Sequence, residues 1–504
     1  MAALIDIIQG KRVDGHRPWP RLIVTQDVWR HVANEIAAGR ATLLGLWGDA
    51  SASCTVHMAF IEQDSNNIAV VSLECPGETF PSVSTLHPPA SRLERAIHSL
   101  YGLQPVGAPD TRPWLDLGFW DVKYPLGSRM SAPDARQTYT FLPVEGESLH
   151  QIPVGPVHAG VIEPGHFRFT ASGETVVRLE ERLGYAHKGI ESLMMGVPIA
   201  QAARLAGRTS GDSTVAYGIA FAHAVEAALA VEAPPRAQFL RALMAELERL
   251  ANHFGDIGAI CNDASFALMH AHCGILRELV LRAANDVFGH RLMMDRVLPG
   301  GVAVDLNRGG VPRIRGLLWQ IQQRFPRLIE LYDNTASLQD RTVTSGILPA
   351  ELARRFGASG YVGRASGRNV DARKTPGYAP YDRLAFTVPV LTAGDVNARV
   401  WIRIHEVEQS IALIEQILER LPDGPIVHTL DGVGGGEGLG LAESFRGDVL
   451  AWVRLNDGCV LRCHLRDPSW FQWPLLETAI EGNIVADFPL CNKSFNCSYS
   501  GHDL

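Results

Sequence analysis

Residues 491–504, CNKSFNCSYSGHDL, bring two cysteines close to a histidine and an aspartate. Thiolates are the ligands that hold soft metals such as low-valent nickel and iron. Five residues separate Cys491 from Cys497, whereas thiolates that share one metal commonly have two residues between them. The pair Cys459 and Cys463 in CVLRC would lie on one face of a strand, about 13 Å apart. We therefore expect these cysteines to be small apolar residues in a packed core rather than metal ligands.

Two further stretches have a residue pattern that could serve binding or catalysis. In PRAQFLRALMAELERLANHFGD, residues 235–256, an apolar stripe at helical spacing leaves Glu246, Arg249, His253 and Asp256 on another face. The glycine-rich stretch GVGGGEG, residues 432–438, resembles a phosphate-binding loop only superficially, because it lacks the Lys-Ser/Thr ending and no helix is predicted after it. We therefore do not predict nucleotide binding at this stretch.

Composition limits the class of protein. The chain has 504 residues, 46% of them hydrophobic and 20% charged, with a formal net charge of −8. Length predicts at least two domains, and the acidic balance argues against a nucleic-acid partner. The eight scattered cysteines indicate a reducing compartment. The N-terminus lacks the features of a signal peptide, and no apolar run is long enough to span a membrane, so we expect a soluble protein that docks on a membrane complex.

The elements that must position these side chains divide at one seam. Residues 1–125 are predicted to form a small α/β domain with strands at 42–50, 54–63 and 67–75. A helix follows, with Ser91 as N-cap and Glu94 completing a capping box. The Pro-, Gly- and Ser-rich stretch 124–136 predicts a linker, assigned to 126–150.

Residues 151–504 are predicted to form a mostly helical domain. Its features are peripheral β-hairpins with SGE as a turn, helices at 235–256 and 395–421, and a C-terminal antiparallel sheet at 439–466. The fold class is therefore α+β.

The motifs resemble those of a known family. The stretch LHPPASRLERAIHSLYGLQPVGAPDTRPWLDL is similar to the 30-kDa-type subunit of respiratory complex I. The remainder resembles the 49-kDa-type, quinone-site subunit and its relative, the large subunit of nickel-iron hydrogenases. Fusion of both units in one chain is most similar to energy-converting hydrogenases and formate hydrogenlyases. The matching segments, in the family's order, are GPVHAGVIEPGHFRF, LGYAHKGIE, VEAPPRAQFLRALMAELERLANH, VLPGGVAVDL, GRASGRNVDAR, PYDRL, GDVNARVWIRIHEVEQS, GGEGLGLAESFRGDV and HLRDPSWFQWPLL.

The resemblance implies four nickel ligands that this chain lacks. The first Cys-x-x-Cys pair of the hydrogenases corresponds to Ala206 and Thr209 in RLAGRT. The second corresponds to Ser498 and Gly501 in the tail. We therefore expect no nickel and no cofactor bound by this chain, in a cavity shaped like that of a hydrogenase.

In complex I the equivalent cavity receives a quinone headgroup, and the resemblance implies candidates for its chemistry. His158 matches the first histidine of the headgroup loop, and His166 stands near the second. Asp263 follows His253 by ten residues, a spacing at which the family pairs an acid with a histidine for proton delivery. Each could instead be structural, the loop histidines as caps of backbone groups and the other pair as partners inside a helical bundle.

Cavity-lining residues follow from the same resemblance. The family's headgroup tyrosine corresponds to Gly211, and Tyr217 is a possible substitute. Arg208 belongs to the vacated ligand run. Arg364 and Arg373 in GRASGRNVDAR are either functional or salt-bridge anchors, and the sequence leaves both alternatives open.

Electrons must come from elsewhere, because the chain has no four-cysteine iron–sulfur pattern. The resemblance implies three kinds of partner: an iron–sulfur small subunit, a ferredoxin-like subunit and antiporter-like membrane subunits. It also implies quinone as the substrate. If NADH is the electron donor, another chain would bind it. The expected location is the inner face of the cell membrane. Three hypotheses remain: a nickel-free complex-I-like oxidoreductase subunit without independent activity, a true nickel-iron hydrogenase, and a redox-inactive scaffold.

Overall fold

A computed structural model describes residues 4–51, 53–63, 65–129, 131–158, 162–430 and 434–504. Helices and strands occur together along the chain, with a sheet-containing N-terminal part and a mostly helical remainder, so the α+β prediction is confirmed.

The N-terminal part is built around a sheet with the strand order β1-β3-β6-β5-β4. The three predicted strands are present as β4, β5 and β6. The elements are α1 (Leu4–Ile7), β1 (Lys11–Arg12), β2 (His16–Arg17), β3 (Arg21–Ile23), α2 (Gln26–Ala37), β4 (Ala41–Asp49), β5 (Thr55–Glu62), β6 (Ile68–Glu74), β7 (Thr79–Pro81), α3 (Ser91–Tyr101) and β8 (Gln104–Val106).

The capping box predicted at the start of α3 is wrong. A 3₁₀ turn at Pro88–Ala90 precedes the helix, so Ser91 already has helical φ/ψ and cannot act as N-cap. The Glu94 carboxylate instead accepts hydrogen bonds from the backbone and side chain of Ser84, at a loop upstream of the helix. A local motif was overridden by a contact with the preceding segment.

Between Val106 and Leu149 the described residues contain no helix and no strand. The next strand begins at Leu149, within the predicted linker 126–150. Three strands then form a sheet in the order β11-β10-β9, with Gly173 at positive φ in the predicted SGE turn. They are β9 (Leu149–Val154), β10 (His166–Ser172) and β11 (Thr175–Arg182).

Helices dominate the next 240 or so residues, and two of them are long and largely buried. The long helices predicted at 235–256 and 395–421 are confirmed as α7 and α13, although α7 continues to Asp263. The elements are α4 (Ile190–Leu193), α5 (Ile199–Ala206), α6 (Thr214–Leu229), α7 (Pro235–Asp263), α8 (Ala267–Phe288), β12 (Val297–Leu298), β13 (Gly301–Val302), α9 (Gly310–Asn334), α10 (Ala336–Thr342), α11 (Ala350–Arg355), α12 (Gly360–Ala365) and α13 (Val396–Arg420).

The C-terminal sheet has the order β16-β15-β14-β2, so the N-terminal part contributes one strand to it. β2 pairs in parallel with β14 through His16 and Glu437. Trp47 of β4 also packs against Trp452 of β15, with ring centroids 5.8 Å apart. The remaining elements are β14 (Gly436–Ser444), β15 (Gly447–Asn456), β16 (Cys459–Arg466), α14 (Ser469–Ala479), α15 (Phe488–Phe495) and α16 (Tyr499–Asp503).

Residues 432 and 433 of the glycine-rich stretch lie outside the described residues, and the glycines that follow them have a packing role. Gly436, Gly438 and Gly440 alternate along β14 and therefore share one face, which lies against α6. A Cβ at Gly438 would stand 1.9 Å from the carbonyl oxygen of Ala224. The absence of side chains lets β14 approach the α6 backbone directly, which is one of the established uses of glycine in strands.

Among the described residues, no helix combines the length and the apolar character that crossing a bilayer requires.

Candidate functional site

The two segments that carry the vacated ligand positions lie against each other. Ala206 and Thr209 stand at the end of α5, whereas Ser498 and Gly501 belong to the tail helix α16 and its N-cap. The hydroxyls of Ser210 and Ser498 are 2.9 Å apart, and Ser498 Oγ accepts a hydrogen bond from the Gly501 amide. All of these residues are buried.

A carboxylate occupies the space that a fourth thiolate would need. An ideal Cβ on Gly501 would be 2.6 Å from Asp467 Oδ2, which is closer than Cβ atoms come to other heavy atoms in folded proteins. The buried Asp467 carboxylate is held there by the Tyr217 hydroxyl, which donates to Oδ2 at 2.9 Å, and by the Ser469 amide at 2.9 Å to Oδ1. Burial and the neighbouring Asp467 raise the pKa of Tyr217 well above its usual value.

The four family positions therefore do not fit a nickel-iron centre. Alanine and glycine offer no donor atom, threonine and serine offer hydroxyls, and none supplies a thiolate. Within the described ranges, no group of three or more His, Cys, Asp or Glu side chains is arranged to hold a metal ion. Cys491 and Cys497 are buried and unbonded to each other, and burial raises the pKa of the Cys491 thiol to about 11.

An ion pair between the buried Arg446 and the partly exposed Asp212 borders this site, and sequence reasoning did not single it out. Arg446 donates from Nη1 to Asp212 Oδ1 at 2.9 Å, and Asp212 Oδ1 also accepts from the Ser210 hydroxyl at 2.7 Å. Burial alone would raise the pKa of Asp212, but the guanidinium holds it well below its usual value. A sequence clue to Arg446 was present in the segment AESFRGD, where a charged residue lies in a short turn between two apolar strands.

The predicted headgroup loop rests on the tail helix. The amide of Ser500 donates to Glu163 Oε2 at 2.9 Å, beside Ser498 and Gly501. Residues 159–161 of this loop lie outside the described residues. His158 Nε2 is 2.8 Å from the carbonyl oxygen of Gly165, so we assign the proton to Nε2.

The other predicted loop histidine is fully engaged. His166 Nδ1 lies 3.2 Å from the Gly155 carbonyl, and His166 Nε2 accepts from Arg168 Nε at 3.3 Å. Burial lowers its pKa. This arrangement is that of a histidine that orders a strand, and the catalytic role predicted for His166 stays a prediction.

His253 and Asp263 are not brought together. Both lie on α7, where ten residues correspond to a rise of about 15 Å. The partner of His253 is Glu406 on α13, with Nε2 2.7 Å from Oε2. Asp263 is the last residue of α7, is half-buried, and has its pKa raised by burial. Direct proton transfer between the two is therefore not supported by the geometry.

The polar face of α7 forms a seam with α13. Besides the His253–Glu406 contact, Arg403 Nε is 3.2 Å from Asp256 Oδ2, and the Ser410 hydroxyl donates to Glu246 Oε2 at 2.6 Å. Polar residues spaced three to seven apart on α7 therefore meet polar residues on the facing side of α13.

Arg364 and Arg373 are buried within the same network. Arg364 donates to Glu406 Oε1 and Glu443 Oε1, at 2.8 and 2.9 Å. Arg373 binds Asp371 through Nε and Nη2, and its Nη1 is 2.9 Å from Glu246 Oε1. Both guanidiniums thus serve as salt-bridge anchors, one of the two alternatives that the sequence left open. Arg208 lies apart from this network and is paired with Asp295 through two contacts of 2.6 and 2.8 Å.

Two clefts reach these groups. One is lined by Asp212, Glu248 and Arg277 among others and lies between α7 and α8. Burial raises the pKa of Glu248 to about 8. The other is lined by residues that include His223, Tyr378 and Tyr381.

Comparison with known proteins assigns both parts of the chain. Residues 22–135 match the family of the respiratory-chain NADH dehydrogenase 30 Kd subunit, and residues 264–434 match that of the 49 Kd subunit. Formate hydrogenlyase subunit 5 of Escherichia coli (strain K12) is 32% identical over 449 residues, which cover 86% of this chain and 78% of that protein.

Two other relatives have similar coverage. Hydrogenase-4 component G of the same strain is 32% identical and covers 86% of this chain and 77% of that protein. The C/D-type NADH-quinone oxidoreductase protein of Phocaeicola vulgatus is 28% identical, with 75% and 77% covered. The chain belongs to the oxidoreductase family that includes formate hydrogenlyase subunit 5, hydrogenase-4 component G and the C/D-type proteins of NADH-quinone oxidoreductase.

Proposed function

We propose that this chain is a nickel-free subunit of a membrane-associated complex, in which a quinone-type redox cavity lies beside an iron–sulfur partner subunit. It would work only within that complex and would help couple electron transfer to ion translocation. One observation supports the absence of nickel: the Asp467 carboxylate oxygen Oδ2 lies 2.6 Å from the position of a Cβ atom on residue 501, where the hydrogenases have a cysteine.

The names of the relatives support the membrane setting and the quinone substrate of this proposal. They include a membrane-bound hydrogenase of Pyrococcus furiosus and NADH-quinone oxidoreductase proteins, so membrane complexes and quinone are associated with the family. We infer the same setting here, with ferredoxin-like and antiporter-like subunits and a peripheral position on the inner face of the cell membrane. A sequence without an iron–sulfur cysteine pattern requires an electron donor on another chain.

The residues of this chain would supply orientation and protons. Two-electron reduction of a quinone takes up two protons, and hydrogen-bond donors at the carbonyl oxygens stabilise the developing charge. His158 is half-buried, and its Nδ1 has no hydrogen-bond partner in the part of the chain that the structure describes. In its imidazolium form, His158 would keep the Gly165 contact through Nε2 and donate from Nδ1 to a quinone oxygen.

The test is quinone-dependent turnover of the purified whole complex. His158→Ala should lower kcat at least about tenfold, a conservative figure for loss of a proton-transfer group. His150→Ala, at an exposed histidine on β9, is the matched control and should leave turnover unchanged. Equal turnover in wild type and His158→Ala would refute the assignment of His158.

Two further results distinguish the alternatives. Stoichiometric nickel together with hydrogen evolution would establish a hydrogenase instead. A wild-type complex that translocates ions but shows no quinone turnover attributable to this chain would establish a scaffold, an alternative favoured by the burial of Tyr217, whose hydroxyl already bonds Asp467.

A further inference from the structure

A buried cluster of ionisable groups includes Glu443, which lies three residues before Arg446 of the ion pair at the vacated ligand site. It joins α7, α12, α13, the segment 371–381 and the end of β14, and every member is at most 3% exposed. Its ionisable members are four carboxylates (Glu246, Asp371, Glu406 and Glu443), three guanidiniums (Arg249, Arg364 and Arg373) and His253.

The fixed charges of this cluster do not balance. With all carboxylates ionised and His253 neutral, four negative charges face three positive ones among the described residues. An uncompensated charge inside a protein is costly, so groups in such a place bind or release a proton instead. The cluster must therefore hold one proton beyond those on its guanidiniums.

His253 is poorly placed to carry that proton. Its Nε2 donates to Glu406, and its Nδ1 is buried with no hydrogen-bond partner among the described residues. The rings of Tyr361 and Phe445 lie about 6 Å from it. Protonation would create a buried N–H without an acceptor, which costs about 1–3 kcal/mol or more.

Among the carboxylates, Glu443 has the weakest compensation. Glu406 is bound by Arg364 and Arg249, and Asp371 is bound by Arg373 through two N–H groups. Glu443 accepts one guanidinium hydrogen bond, from Arg364 Nη1 at 2.9 Å, and one from the Ala372 amide at 2.9 Å.

The surroundings of Glu443 explain why a proton favours it. Arg364 Nη1 also contacts Asp371 Oδ2 at 3.4 Å and the Val370 carbonyl at 2.9 Å, so three acceptors share the two N–H groups of this nitrogen. Burial and Asp371 raise the pKa of Glu443 to about 7, and the guanidiniums oppose this. Burial would raise the pKa of Asp371 as well, but Arg373 keeps it at about 2. The groups that face Glu443 are Arg364 of α12, Arg249 of α7, and Asp371, Arg373 and Tyr378 of the segment 371–381.

We propose that Glu443 is a proton-storing site: it holds an exchangeable proton near neutral pH and delivers it toward the vacated ligand site during reduction. Glu443 is the second-last residue of β14, and Arg446 lies in the turn between β14 and β15, so three positions along the chain link the cluster to the Arg446–Asp212 pair. When a proton leaves, Glu443 becomes a carboxylate, and the negative charge draws a proton from solvent.

Reloading would begin at the narrow cleft that is lined by His223, Tyr378 and Tyr381. Tyr381 donates to Glu246 at 2.7 Å, and the Tyr378 oxygen accepts from the Glu443 amide at 3.1 Å. Water in this cleft would stand one side chain away from the cluster. The delivery role depends on the proposed function, whereas the charge state of Glu443 does not.

Infrared spectroscopy of the purified whole protein tests the charge state. The carbonyl stretch of a protonated, buried carboxylic acid should disappear with a midpoint near pH 7 and should be absent from Glu443→Gln. Gln is a neutral mimic of protonated Glu, so this variant should fold at pH 6. Failure of Glu443→Gln to fold there, or an unchanged acid band in it, would overturn the proposal.

A second variant tests the charge count itself. Glu246→Gln removes one negative charge from the cluster and leaves three carboxylates with three guanidiniums. The Glu443 band should then titrate at lower pH by about one unit or more. An unchanged midpoint would show that burial, not the excess charge, controls Glu443 and would overturn the argument.

In the active wild-type complex, quinone turnover should decline above pH 7, where Glu443 loses its proton. Glu443→Gln should have lower turnover and should not show this decline. Loss of the infrared band in Glu443→Gln with turnover unchanged would refute the delivery role of Glu443 and leave its stored proton established. A confirmed infrared signal in a complex without quinone turnover would refute the proposed function and leave the proton-storing state intact.

Discussion

The Asp467 carboxylate and a side chain at position 501 should compete for the same space. Gly501→Ala would place a methyl carbon 2.6 Å from Asp467 Oδ2, where ordinary contacts are 3.4 Å or longer. The carboxylate cannot withdraw freely, because its two oxygens are bound by Tyr217 and the Ser469 amide, each at 2.9 Å.

The magnitude follows from these contacts. Overpacking a well-packed core costs about 1–3 kcal/mol, and loss of a hydrogen bond to a charged group costs about 1.5–3 kcal/mol. Alanine in place of a helical glycine gains up to about 1 kcal/mol. We therefore expect Gly501→Ala to destabilise the protein by about 1–2 kcal/mol, whichever group gives way.

A double-mutant cycle isolates the contact. In an Asp467→Ala background the obstruction is gone, so Gly501→Ala should cost at least about 1 kcal/mol less than in wild type. Urea denaturation midpoints of the four proteins give the coupling free energy. An equal cost in both backgrounds would refute the reasoning that Asp467 fills the vacated ligand position.

A matched glycine provides the control. Gly274 lies on an exposed face of α8, and a Cβ there would meet nothing within 4 Å. Gly274→Ala should be neutral or stabilising by up to about 1 kcal/mol in both backgrounds.

Three other outcomes are expected. Gly438→Ala should destabilise the protein by about 3 kcal/mol or prevent folding, because its Cβ would stand 1.9 Å from the Ala224 carbonyl oxygen. Soluble yield and the denaturation midpoint measure this effect. A midpoint equal to that of the wild type would contradict the prediction. Tyr217→Phe should cost about 1.5–3 kcal/mol through the lost bond to Asp467, also measured from the midpoint. The raised pKa of Glu443 means that its protonation stabilises the fold: the benefit is complete below about pH 4.5 and is lost as pH rises through about 7, with a slope of at most about 1.4 kcal/mol per pH unit. Unfolding free energies measured against pH should show this slope in wild type but not in Glu443→Gln.

Most elements were predictable because periodicity is a local property. The alternation of β4, β5 and β6 and the apolar stripe of α7 are written in consecutive residues. The capping box at Ser91 failed because a local motif competed with contacts from residues 82–84, which the motif does not include. Likewise, the ten-residue spacing of His253 and Asp263 did not identify a contact.

The site was predictable in identity but not in geometry. The missing thiolates at Ala206, Thr209, Ser498 and Gly501 follow from residue types alone, since no fold can make a hydroxyl or a methyl into a soft ligand. The pairing of His253 with Glu406 could not be predicted, because the two residues are 153 positions apart on different helices.

The sequence by itself determined the kinds of elements, the family and the loss of sulfur ligands, all of which depend on residue type and local order. Only the tertiary structure decided that a carboxylate fills the place of a thiolate and that four acids share three arginines in one buried cluster. Those features depend on which distant side chains meet away from water, where charge must be balanced by close neighbours.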